Sequence, residues 1–350
     1  MTTPFDQLSR VLIVGQRTPL KQRLQEEANA TAFIDDHNTW VESLSDDNPM
    51  KEKLRATRTI NLQARGEGEH PLSDISADAI RQQIGDLEVL KSPTADSSVI
   101  SEKVAALLDG YTLLTKCLRL KVIFRARRNS SRSEFTNITE LWYPKPEYVT
   151  TIGRANKISS PMFYCAQDFD IALTELHPKV GETITVLESE VIDPEHFPRT
   201  AQVGVTELTS KHIRAFAYTL DEHMTLSGHL IRPGYSEKNA LLHGYSLREF
   251  TQVVKDGAEY LYNITAQISE AILREHGVEG LCYPSIAAEY RGVNLALEPK
   301  TVDDTYRPVG CLELHIEQLA PLRYKLLRRA RSIERSGEII WDGAVARSLA

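Results

Sequence analysis

The chain has 350 residues, 41% of them hydrophobic, and 41 basic against 48 acidic side chains give a net charge of −7. That apolar share supports a core and excludes a wholly disordered chain, while the acidic balance argues against a protein that coats nucleic acid through its overall field. The four cysteines (Cys117, Cys165, Cys282 and Cys311) contain no CxxC pair, which disfavours a disulfide scaffold or zinc ribbon.

Residues 1–100 hold 16 acidic and 11 basic side chains, so most of the negative excess lies there. Val11–Val14 is a short apolar run, and Gly66–Pro71 is linker-like because Gly and Pro punctuate it. Helical spacing follows in two stretches. Ile80, Ile84, Leu87 and Leu90 form one face, and Val104, Leu107, Leu108, Leu113 and Leu114 form another. Residues 1–115 therefore read as a mostly helical N-terminal extension, and 116–350 as the second region.

From Leu118 the pattern changes to strand-like alternation in LRLKVIFRAR. PMFYCA (161–166) and TITVLESEVI (183–192) read as further strands, and Asp168–Leu176 between them as a short helix. Ser189–Tyr245 reads as an insertion of irregular sequence, in which RPGYSEKN (232–239) is turn-rich and suggests a loop or lid. Ser246–His276 shows apolar residues at intervals of three, four or seven and predicts one long helix that ends at Gly277. GLCYPS (280–285) and VNLAL (293–297) predict short strands, and CLELHIEQL, YKLLRRARS and EIIWDG a C-terminal β-meander. Strands interrupted by helices, with late hairpins, favour an α+β fold.

Local signatures of chemistry are sparse. The sequence has no Walker loop, HExxH pair, Gly-x-Ser-x-Gly elbow or dinucleotide GxGxxG, and its ten histidines are dispersed, so no metal site is expected. Cys165 could serve as a nucleophile, but a buried structural role is commoner. The basic clusters Lys121–Arg132 and Arg323–Arg335 read as solvated strand faces rather than a nucleic-acid surface. No apolar run approaches the roughly 20 residues of a membrane span, and the N-terminus shows no charged segment leading into an apolar one. A soluble, cytoplasmic protein is expected.

What remains is a scattered polar set: Arg125 in IFRAR, Gly153 and Arg154 in IGRAN, Tyr164 in MFYCA, Glu175 in ALTEL, Ser285 in YPS and Asn294 in VNLAL. Taken singly these read as a paired arginine, a core tyrosine, a surface glutamate and a turn serine. Taken in order, FRAR, ELWYP, GRAN, FYCA, ALTEL, YPS and NLAL resemble the RES domain family from about Leu118 to Leu297. That family's name comes from an arginine, a glutamate and a serine, which match Arg154, Glu175 and Ser285.

The resemblance implies an α+β fold similar to ADP-ribosyltransferase toxins, with NAD+ as substrate and no bound cofactor. It further implies a toxin that depletes cellular NAD+ by breaking the nicotinamide–ribose bond with water or inorganic phosphate. A separate antitoxin with an Xre-like DNA-binding region would restrain it. On this reading Arg125 and Arg154 bind diphosphate oxygens, for which planar guanidinium is suited. Tyr164 packs on nicotinamide or ribose, Gly153 permits close approach, and Asn294 joins the binding set. Glu175 holds a ribose hydroxyl and stabilises an oxocarbenium-like transition state, and Ser285 positions the amide or ribose. A mono-ADP-ribosyltransferase acting on a macromolecule and a non-catalytic nucleotide- or partner-binding module are the alternatives. The N-terminal extension and the insertion depart from the family's compact members.

Overall fold

A computed structural model describes residues 9–13, 72, 75–129, 134–204, 235–275, 277–290, 292–343 and 347–349. Mixed helices and antiparallel strands make the fold α+β, as expected. The chain divides into two units. The first gathers the described residues up to Cys117 with Ile152–Asn156 and Arg199–Leu281, and the second holds Leu118–Thr151, Lys157–Pro198 and Cys282 onward.

In the first unit, β1 (Ser9–Ile13) pairs antiparallel with β2 (Thr112–Cys117), and β2 with β6 (Arg199–Gln202). Helices α1 (Ala77–Val89) and α2 (Ser97–Leu107) start where Ser76 and Asp96 accept backbone N–H bonds at 3.1 and 2.8 Å. Such caps satisfy orphan donors and are each worth about 1 kcal/mol. Ile80, Leu87, Val104, Leu107 and Leu108 are buried, as their spacing predicted. Leu113 and Leu114, however, belong to β2 rather than to a helix. Gly110, at φ +84°, turns the chain out of α2, and the Asn239 side chain then receives the Thr112 amide at 2.9 Å.

The single helix expected over 246–276 is two. The first, α4, spans Tyr235–Phe250, and α5 spans Tyr262–Leu273, with a short 3-10 turn (Glu259–Leu261) leading into it. Lys-Asp-Gly at 255–257 interrupts the helix, with Gly257 at φ +85°. The apolar spacing continued through this break because both helices bury a face. The proposed irregular insertion also needs correction, since Ser189–Val191 ends a strand, Arg199–Gln202 forms β6 and 235–245 is helix. Within RPGYSEKN, Tyr235–Asn239 begin α4 rather than a loop. Residues 205–234 lie outside the described residues, as do the linker proposed at 66–71 and Val14 of the apolar run.

In the second unit the strand order is β7-β8-β4-β3-β5-β9-β10-β11, with the chain entering along β7 (Gly280–Pro284). The others are β3 (Val122–Arg128), β4 (Phe163–Ala166), β5 (Thr183–Val191), β8 (Val293–Leu297), β9 (Tyr306–Leu319), β10 (Leu322–Ile333) and β11 (Ile339–Trp341). A short β12 (Arg347–Leu349) also pairs with β10. The C-terminal β-meander is present in β9–β11. Helix α3 (Phe169–Glu175) lies between β4 and β5, and α6 (Pro299–Thr305), which the sequence reading missed, begins with proline after Glu298. The core includes Leu173, Ile184, Val186, Leu314 and Ile316, with Phe124 and Ala126 packed against it.

Candidate active site

The site begins with an incomplete strand pairing. β3 pairs along its whole length with β5, from Val122↔Glu190 to Arg128↔Ile184, but its pairing with β4 is confined to Phe124↔Ala166. Beyond that point the two strands part. A cleft of about 440 Å³ is lined by Phe124–Arg128 of β3, Tyr164–Ala166 of β4, Ala172 and Glu175 of α3 with Leu176 after it, and Tyr283 and Asn294. Arg125 partly replaces the missing ladder, its Nη1 donating to the Tyr164 carbonyl at 2.8 Å. The guanidinium lies 5.2 Å from the centroid of Phe163, within cation–π range. Its Nε is buried with no partner among the described residues. Burial, and secondarily the Arg127 charge, lowers the Arg125 pKa to about 10, which leaves it charged at neutral pH.

Trp142 packs against the same Phe163 ring, 4.7 Å between centroids. Trp142 Nε1 and Tyr143 Oη both donate to the Asp303 carboxylate, at 2.8 and 2.6 Å, and that bond first, then burial, pushes the Tyr143 phenol up to about 12. The ELWYP segment is set up by a capping box, in which Asn137 and Glu140 exchange side-chain and backbone bonds. Glu140's carbonyl in turn accepts from Arg127 Nη1.

The opposite wall is α3. Asp168 caps it by accepting the Ile171 amide at 2.9 Å, and Ile171, Ala172 and Leu173 are buried. Two turns later the helix ends at Glu175. Ser285, fully buried after β7, donates its hydroxyl proton to Glu175 Oε1 at 2.5 Å. Ser285 Oγ itself accepts the Ala288 amide at 3.1 Å, which orients that proton. The Ser285 amide donates to the Gly292 carbonyl at 2.9 Å, and Glu289 and Tyr290 between them hold positive φ values of 52° and 62°. Backbone held this way costs about 1–3 kcal/mol per residue and persists where the surroundings over-determine it. Gly292 lets α3 pack close, because a Cβ there would lie 1.9 Å from Ile171 Cδ1 unless that side chain moved. Asn294, also buried, pairs with Ala166 across β8 and β4.

The RES domain model matches residues 122–315, from the start of β3 into β9. The chain belongs to the RES domain family. RES domain proteins are NAD+-acting, toxin-like modules, and the α+β architecture here fits the ADP-ribosyltransferase-like fold of the family. No curated protein matches the chain.

Within the RES region, Arg125, Tyr164, Glu175, Ser285 and Asn294 all belong to the second unit, and the first three, with Asn294, line the cleft. Gly153 and Arg154 belong to the first unit. Gly153 bridges to Asn156 in a tight turn. Arg154 donates from Nη1 to the Phe250 carbonyl at 2.5 Å and from Nη2 to that of Gln252 at 3.1 Å, and it sits 5.1 Å from the centroid of Tyr262. Arg154 thus closes the C-terminal end of α4, its guanidinium engaged by backbone carbonyls of its own unit. Cys165 is buried and pushed up to about 12 by desolvation, which suits a structural thiol. No group of His, Cys, Asp or Glu suited to a metal ion occurs among the described residues, and none of their helices is long and apolar enough to cross a membrane.

The sequence reading missed Arg127, Arg128, Tyr283 and Gly292. The consecutive arginines of RARR carried a signal, since a strand edge with successive guanidinium groups beside a family motif invites that reading. Gly292 carried none, because only the close approach of the Ile171 side chain on α3 crowds a Cβ there.

Proposed function

We propose that the protein cleaves the nicotinamide–ribose bond of NAD+ by hydrolysis or phosphorolysis, acting as a toxin that depletes the dinucleotide. The observation that carries this reading is the Ser285–Glu175 bond at the wall of an arginine-lined cleft. Ser285 occupies one carboxylate oxygen, leaving the other for a ribose hydroxyl. The negative charge of Glu175 then opposes the positive charge that develops over ribose C1 and its ring oxygen as nicotinamide departs. Such stabilisation is greater in the transition state than in the ground state, which is what accelerates the step. Within the second unit Arg125 contributes positive charge toward the diphosphate, Tyr164 packs on the ribose or nicotinamide and Asn294 adds an amide. A separate antitoxin with an Xre-like DNA-binding region restrains the activity.

The test is incubation of purified protein with NAD+, with and without inorganic phosphate, measuring nicotinamide, ADP-ribose and ADP-ribose-1-phosphate. Nicotinamide release that falls at least about 100-fold in Glu175→Gln is expected. Undiminished release in that variant rejects the mechanism, and none from the native protein rejects the function.

A further inference from the structure

Helix α3 has only seven residues and no basic side chain in its last turn. A helix this short is marginal alone, and its final carbonyls need donors from elsewhere. The connection that follows is awkward as well: His177, two residues after Glu175, has φ +46° without being glycine.

Arg128 spans this connection. It stands at the end of β3, opposite Ile184 near the start of β5. Its Nη2 donates to the carbonyls of Leu176 and His177, the latter at 3.0 Å, directly after Glu175. Its Nε donates to Glu182 Oε2 at 3.2 Å, at the far end of the same connection. Glu182 Oε2 also accepts the Lys179 amide at 2.9 Å. Burial works to raise the Glu182 carboxyl, but the Lys179 amide and Arg128 outweigh it and hold it below the usual range. One planar cation therefore ties both ends of residues 176–182 to the strand that forms the cleft wall. Its charge also complements the negative end of the α3 dipole.

We propose that Arg128 is a positioning residue for Glu175, fixing the carboxylate against Ser285 by bracing the backbone that follows it. Its effect on turnover rests on the reading of Glu175 given above, whereas its effect on the backbone does not. Arg128 lies in the cleft lining and could instead bind substrate, so the experiment separates the two roles. In Arg128→Ala, kcat for nicotinamide release falls about tenfold while KM for NAD+ changes less than about twofold, and millimolar guanidinium ion restores part of the loss. Arg128→Lys, with one ammonium in place of the fork, gives an intermediate rate. In a Glu175→Gln background, Arg128→Ala produces no further loss, because its contribution passes through the carboxylate.

Hydrogen exchange supplies an arm independent of turnover: amides of residues 169–182 exchange about tenfold faster in Arg128→Ala than in the native protein. A raised KM with kcat intact, or losses that add to those of Glu175→Gln, would overturn the proposal. Unchanged exchange over 169–182 would overturn it even if the native protein released no nicotinamide, a result that would sink the functional reading but leave the brace testable.

Discussion

Gly292→Ala is the most discriminating single substitution in the second unit. The added methyl carbon would stand 1.9 Å from Ile171 Cδ1 and 2.9 Å from Gln167 Nε2. Carbon pairs rest at about 3.5–4.0 Å, so the side chains must separate by about 1.6 Å or more. Both contacted atoms are the far ends of side chains, so the first response is rotation of Ile171 and Gln167, and Ile171 has to find that room among Ala166, Ala172 and Ala288, with Phe124 and Ala126 against them. Where this packing resists the rotation, α3 and the 285–292 loop part, which draws Glu175 away from Ser285. Overpacking of this kind costs about 1–3 kcal/mol. At 2 kcal/mol, Tm falls by about 4–8 °C. Misplacing a catalytic carboxylate lowers kcat by about tenfold or more. Thermal denaturation and nicotinamide release measure the two effects. The compensating variant is Ile171→Val, which deletes the clashing Cδ1 and costs about 0.5–1.5 kcal/mol by itself. Gly292→Ala with Ile171→Val should regain most of the lost stability and rate. An unchanged Tm and kcat in the single variant, or no recovery in the double, refutes the steric reasoning.

Arg154→Ala removes the donors to the Phe250 and Gln252 carbonyls, and about 1–3 kcal/mol of stability should be lost, visible as a lower Tm. Loss of NAD+ turnover at an unchanged Tm would contradict this capping role and place Arg154 on the substrate. For the thiols, burial raises Cys165 and Cys311 from 9.0 to about 12. At pH 8 about one in 10⁴ of each is thiolate, so iodoacetamide should modify half-buried Cys117 first, as followed by mass spectrometry. Because these folded-state values are raised, their contribution to stability is full below about pH 9 and is lost as pH rises towards 12. Rapid labelling of Cys165 in the folded protein at pH 8 would refute this.

Much of the second unit was legible because its signals are local. Alternation marked β3, an apolar run marked β4, and Asp168 announced a helix two turns long. The order of FRAR, FYCA, ALTEL and YPS also placed Arg125, Tyr164, Glu175 and Ser285 on the elements where they stand. The break at 251–258 was not legible, because apolar spacing reports which residues are buried and not whether the backbone between them remains helical. RPGYSEKN shows the converse. Its Gly and Pro precede a helix start, and turn residues look alike whether a loop continues or a helix begins. The geometry of Arg154 and Arg128 was hidden for a third reason: apart from Glu182, their acceptors are backbone carbonyls, and every residue type has one.

The parting of β3 from β4 has a consequence outside catalysis. It interrupts the ladder between two neighbouring strands, and an interrupted ladder is the kind of edge onto which a second extended chain can add. β3 carries Arg125, Arg127 and Arg128 along that stretch, and charged side chains on an open strand discourage such pairing. The guanidinium groups that give the cleft its charge are thus of the kind that guards an opened edge against a foreign strand. Replacing them with apolar residues would remove a barrier to self-association together with the charge, so the assembly state of any arginine variant belongs beside its rate.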